Sequence, residues 1–187
     1  MSEMHREQPD EIISNGGRNA DGSARMLSRW TFDYEPARSI VEEHMHGRVL
    51  NACAGKTKLQ HDDEIVRNDL NPDRDADVHL DVAEIADHFE QMSFDTVLFD
   101  PPFDQKQAEE KYDGVHASDV YSALRQFNEL VRPGGHVITF GWNSWGMRSF
   151  PAFERVETVL LQRGPLHRDF IVSVDKRTTA SITEGTR

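Results

Sequence analysis

The tetrapeptide Asp100-Pro101-Pro102-Phe103 closes the apolar run Thr96-Val97-Leu98-Phe99. A buried strand that stops on a carboxylate and two prolines leaves a particular set of groups at its tip. Proline donates no ladder hydrogen bond and restricts the residue before it, so the strand ends there. What remains is a fixed acid, a rigid turn with carbonyls able to accept, and an aromatic ring. The acid and the Pro101 carbonyl suit the two hydrogens of an exocyclic amine. The Phe103 ring suits stacking on a flat heterocycle.

Those groups need a frame. Arg48-Val49-Leu50-Asn51-Ala52-Cys53-Ala54-Gly55-Lys56-Thr57 reads as a short strand entering a small-residue turn. Further strands are predicted at 65–69, 78–82, 96–100 and 134–140, three of them ending near an acid: Asp69, Asp81 and Asp100. Pro36 opens a predicted helix that stops at Gly47 and covers one sheet face. A second helix, 118–131, has Ser118 as N-cap and an apolar stripe of Val120, Leu124, Phe127, Leu130 and Val131. Pro133-Gly134-Gly135 is expected to end it, and Val156–Leu161 with Asp169–Val174 to close the sheet as an antiparallel pair. Strands alternating with helices indicate a parallel α/β sheet. Ligands of such sheets bind outside the carboxyl ends of the strands, which is where the three acids fall.

From about Trp30 to about Val174 the chain resembles the class I S-adenosylmethionine-dependent amino-methyltransferases with a DPPY/DPPF-type motif. It is most similar to small phage-type or orphan DNA adenine-N6 methyltransferases. The likeness is carried by Asp100–Phe103, by the loop Gln105–Gly114 and by His167-Arg168-Asp169. It implies a single Rossmann-like class I methyltransferase domain, with a mainly parallel seven-stranded sheet, an antiparallel last strand and helices on both faces. It implies S-adenosylmethionine as cofactor. Asn51, Ala52, Cys53, Ala54 and Gly55 would wrap its methionine part, Asp69 would meet the ribose, and Asp81 or Val82 the adenine. Asp100, Pro101, Pro102 and Phe103 would be the catalytic group. Lys106, Lys111, Tyr112, Trp142 and Asn143 are the candidate substrate contacts. Thr57 stands where the family usually has a second glycine, and Asn51 where it often has an acid.

The expected reaction is methyl transfer to an exocyclic amino group of a nucleobase, adenine N6 in DNA. The alternatives are an RNA base (adenine N6 or guanine N2) and a catalytically silent S-adenosylmethionine-binding subunit. A nucleoside triphosphatase fits poorly. Gly55-Lys56-Thr57 ends like a phosphate loop, but Leu50 occupies the position of its first glycine.

Length and composition suit one domain: 187 residues, 37% of them apolar. Residues 1–27 read as a flexible arm, 28–174 as the methyltransferase domain and 175–187 as a polar tail. Cys53 is the lone cysteine and rules out an internal disulfide. The nine histidines show no zinc spacing and are expected as scattered surface residues. No apolar run spans a membrane and none resembles a leader, so a cytoplasmic protein is expected. The net charge of -12 runs against a nucleic-acid partner, DNA or RNA, whose phosphates favour basic surfaces. The lysine-poor, aspartate-rich composition resembles that of halophilic proteins, where acidity serves solubility. Arg132, Arg148, Arg155, Arg163 and Arg168 are expected to gather on the active face. A protein or small-molecule substrate stays open.

Overall fold

The computed structural model describes residues 9–14, 30–102, 120–163 and 168–178. Seven strands form one sheet: β1 (Glu11–Ser14), β2 (Val49–Asn51), β3 (Ile65–Arg67), β4 (Phe94–Phe99), β5 (Val131–Gly141), β6 (Phe153–Gln162) and β7 (Phe170–Arg177). Their order is β1-β6-β7-β5-β4-β2-β3. β7 is antiparallel to both its neighbours; every other pairing is parallel. The architecture is the Rossmann-like one expected, with its antiparallel closing strand.

Among the described residues, two α-helices cover opposite faces of the sheet. α1 (Glu35–His44) carries Pro36 in its first turn and buries Ala37, Ile40 and Val41 against Val49, Leu98, Ile138 and Phe140. α2 (Val120–Leu130) buries Ala123, Leu124, Phe127 and Leu130 against Leu50, Val97, Phe99 and Val137. Alternate strand residues thus feed two cores, as the two-residue period of a strand requires. Ser118, the expected cap of α2, lies outside the described residues.

The seven strands differ from those expected. Val78–Val82 is not a strand; its ladder pairing is reduced to the single Asn68–Val78 bridge. The reason is a side chain. Asn68 is buried and accepts from the Leu80 N–H at 2.8 Å, while its amide nitrogen donates to the carbonyls of Leu80 at 3.1 Å and Ala52 at 2.9 Å. Asn68 therefore takes up Leu80 in place of a ladder. The seventh strand is β1, from within the expected flexible arm. It pairs with β6 from Glu11↔Val159 to Ser14↔Gln162, and Ile13 packs on the α1-side core. Two β-branched residues among polar ones suffice to cover an edge that would otherwise present unpaired backbone groups. At the other end, β7 runs on to Arg177, past the expected boundary at 174, because Arg177 is fully buried and donates to the Val131 carbonyl at 2.8 Å.

The passage from α2 into β5 also differs. The helix ends at Leu130, and Pro133-Gly134-Gly135 lies inside β5 as an irregularity between Val131, opposite Phe94, and His136, opposite Thr96. A Cβ on Gly135 would stand 2.6 Å from the Asp95 carbonyl oxygen, so glycine is required there. Three histidines expected to be scattered meet at this amino end of the sheet. The His136 ring lies 4.8 Å from that of His46 and 6.1 Å from that of His44.

Candidate active site

β3 lies on one side of β2 and β4 on the other, so the strand order reverses at β2. The crevice between the carboxyl tips of β2 and β4 is the position where sheets of this kind bind ligands. Asp100 follows β4 directly, with Pro101 buried behind it. The turn after β2 faces it. Asp100 lines one pocket together with Cys53, Ala54, Gly55, Thr57, Trp30 and Phe32. Asp100, the expected catalytic acid, and Cys53–Gly55, the expected centre of the cofactor turn, are thus brought together.

The turn is held from below by a dense set of bonds. Ala52 N–H donates to the Leu98 carbonyl at 2.9 Å, and Ala54 N–H to the Asn68 carbonyl at 2.8 Å. Gly55 N–H donates to Asp69 Oδ2 at 2.9 Å; Asn71 N–H takes Asp69 Oδ1 at 3.0 Å. Asp69 is only 1% exposed. It is a brace of the turn as well as the candidate ribose acceptor. Arg67 clasps the turn's far side, donating to the carbonyls of Gly55 at 3.1 Å, Thr57 at 3.0 Å and Asp75 at 3.1 Å. Gly55 has φ +56°, and a Cβ there would meet the Trp30 ring at 3.0 Å. Thr57, in place of a second glycine, donates through its hydroxyl to Asp33 at 3.3 Å.

The remaining cofactor candidates are spread around this turn. Asn51 is buried, and its Oδ1 has no hydrogen-bond partner among the described residues. Its side chain lines a neighbouring pocket with Leu59, Ile65 and Arg67, apart from the one holding Asp100. Asp81 accepts from Ala83 N–H at 2.8 Å, and Val82 packs against the α2-side core. Neither lines the Asp100 pocket. Phe103, Lys106, Lys111 and Tyr112 lie outside the described residues, as does the loop 104–117.

Trp142 and Asn143 follow β5 and stand at the same edge as Asp100, because β4 and β5 are parallel. Asn143 is exposed, and the Arg168 guanidinium lies 4.0 Å from the centre of the Trp142 ring. Arg163, just beyond β6, stands 4.2 Å over the Phe170 ring and 6.0 Å from that of Tyr34. Burial pulls its pKa below the ordinary value, against the favourable fields of Tyr34, Asp100 and Asp169. Two of the other arginines expected on this face are engaged elsewhere. Arg155 pairs with the fully buried Asp175 at 2.7 Å, and Arg132 with Asp95 at 3.1 Å near the amino end of β4. Each is drawn off by a carboxylate remote in sequence.

Sequence reasoning missed Arg67 and Asn68 as supports of the turn. Their bonds run to backbone groups, which leave no signal in residue type. Trp30 and Phe32, which also line the pocket, belong to a run of aromatic residues ahead of Pro36. No group of three or more metal-ligating side chains occurs among the described residues, and no helix there is long and apolar enough to cross a membrane.

Solved structures resolve the fold. The Burkholderia thailandensis 1,6-didemethyltoxoflavin-N1-methyltransferase, crystallised with 1,6-didemethyltoxoflavin and S-adenosylhomocysteine, superposes with a TM-score of 0.56 at 17% identity, covering 78% of each chain. The fold is that of the Rossmann-like methyltransferases. TrmN from Thermus thermophilus gives a TM-score of 0.52 at 16% identity over 75% of this chain, which spans 47% of the TrmN chain. No protein-family model and no curated protein sequence matches the chain.

Proposed function

We propose that the protein is an S-adenosylmethionine-dependent methyltransferase acting on an exocyclic amino group of a nucleobase, adenine N6 in DNA, with an RNA base as the alternative target. The observation that carries this reading is the shared pocket of Asp100 and the Cys53–Gly55 turn at the reversal of strand order. The S-adenosylhomocysteine bound in the 1,6-didemethyltoxoflavin-N1-methyltransferase of like fold supports the choice of cofactor.

The residues present fit that cofactor. Gly55 offers a turn without a Cβ, and Asn51 Oδ1 is a buried acceptor that suits an ammonium group. Asp69 engages one acceptor position of each oxygen on the turn and would meet the ribose only from beneath it, through its remaining acceptor positions. Bound there, S-adenosylmethionine supplies an electrophilic methyl on a sulfonium. Asp100 and the Pro101 carbonyl accept the two hydrogens of the target amine and turn its lone pair out of the ring's conjugation. Alignment of this kind supplies ~7–11 kcal/mol in well-oriented systems. The nitrogen becomes acidic as it is alkylated, and the Asp100 carboxylate would receive its proton. A base within a duplex must first leave the stack.

Asp100→Ala tests the assignment. Calorimetry should show S-adenosylmethionine binding retained, while transfer of labelled methyl falls by at least about 10²-fold, as for other lost acid–base groups. Unchanged turnover removes Asp100 from this role. Heat from ATP and none from S-adenosylmethionine overturns the cofactor. Separate DNA, RNA and protein pools, followed by nucleoside mass spectrometry, identify the substrate and the methylated atom.

A further inference from the structure

The carboxyl edge of the sheet divides at Asp100. On one side are β2 and β3 with the Gly55 turn. On the other, in order, are the tips of β5, β7 and β6, because β7 is antiparallel and enters the sheet where β5 and β6 leave it. Strand spacing of ~4.8 Å sets these tips roughly 5–15 Å from Asp100. They carry Trp142, then Phe170 with the preceding Arg168, then Arg163.

Each of the two arginines lies over an aromatic ring: Arg168 over Trp142 at 4.0 Å and Arg163 over Phe170 at 4.2 Å. Neither forms an ion pair within 4.0 Å among the described residues, whereas Arg48, Arg132 and Arg155 each pair with a carboxylate. Arg163 is half-buried, and its Nε is sealed from solvent without a hydrogen-bond partner among those residues. A partly desolvated guanidinium with no paired carboxylate suits an anion with several oxygens. In a chain of net charge -12, two arginines with no carboxylate paired to them among the described residues are a local exception at this edge. Arginine alternating with aromatic rings is also the pattern that follows a nucleic-acid strand, phosphates on the cations and bases on the rings.

We propose that Arg163 and Arg168, lying on Phe170 and Trp142, form a track for the phosphates of a polynucleotide strand whose target base reaches Asp100. The track rests on the methyltransferase reading for its purpose, but its binding can be measured without turnover. It selects against free nucleosides, which have no phosphate to offer, and against mononucleotides, which reach only one cation.

The test is fluorescence anisotropy of a labelled adenine-containing oligonucleotide, as DNA and as RNA, across a salt series. Wild-type protein, Arg168→Gln, Arg163→Gln and the double variant are compared. Each arginine lost should make the slope of log K against log salt shallower by about 0.7, the value for one phosphate contact on a single strand. In turnover, KM for the oligonucleotide should rise at least about tenfold in the double variant with kcat retained. Arg168 is exposed, so Arg168→Gln keeps the test decisive if Arg163→Gln does not fold. Unchanged slopes, equal affinity for adenosine monophosphate, or equal competition by an acidic peptide would overturn the track. Oligonucleotide binding with these slopes but no S-adenosylmethionine binding would instead sink the methyltransferase reading and leave the track standing.

Discussion

Gly55 is the residue on which the turn after β2 depends. Its N–H is held by Asp69, its carbonyl by Arg67, and its missing side chain leaves room for the Trp30 ring. Replacing it by alanine imposes a left-handed conformation costing ~1–2 kcal/mol and drives a methyl toward the indole. Gly55→Ala should therefore lower S-adenosylmethionine affinity and perturb Trp30 fluorescence. Trp30→Ala in the same chain should restore part of the affinity by removing the clash, as calorimetry on the two single variants and the double variant would read. If Gly55→Ala binds normally, the turn does not hold the cofactor. The sequence points to Gly55 and Asp100 because one sits in the turn that follows a strand and the other directly follows a strand. It hid Asn68, whose side chain spans from Ala52 to Leu80 and occupies the place of a strand.

At the scale of elements, the loop from β5 to β6 owes its course to one buried ion pair. Asp175 in β7 is fully buried; it receives Arg155 through two nitrogens, at 2.7 and 3.3 Å, and the Met147 N–H at 2.8 Å. Arg155 also reaches the Trp145 carbonyl at 3.3 Å. Arg155→Met should cost about 3–5 kcal/mol, since it strands a buried carboxylate. Urea unfolding would measure this, and Asp175→Asn added to Arg155→Met should recover part of the loss. A cost below about 1 kcal/mol would mean that the loop does not lean on the pair. Arg155 reads in the sequence as one arginine among several on an active face. Only the pairing of β6 with β7 brings it to Asp175.

Across the whole molecule, the end opposite the site holds a pH-sensitive joint. His136 opens the regular part of β5, bonds the His44 carbonyl at 3.2 Å, and lies near His46 and Lys176. Burial lowers its pKa below the ordinary 6.5, and the neighbouring His46, His44 and Lys176 push the same way against the bond to the His44 carbonyl. The unfolded chain then binds the proton more readily. The contribution of this site to stability is full above about pH 6.5 and declines as the pH falls through the folded-state value. Urea midpoints between pH 8 and pH 5.5 should fall with acidity, and less steeply in His136→Gln. Identical slopes would assign the acid sensitivity to other groups.

The sequence by itself determined the α/β class, the two helices that flank the sheet, the antiparallel close and the acid-and-proline tip of β4. These are local matters of residue period, capping and proline chemistry. The tertiary structure alone decided that β1 completes the sheet, that 78–82 stays outside it, which arginines are neutralised and which face the edge, and that Trp30 lies on Gly55. Each of those rests on one side chain meeting a backbone or a carboxylate far along the chain, and such a meeting has no periodicity to reveal it.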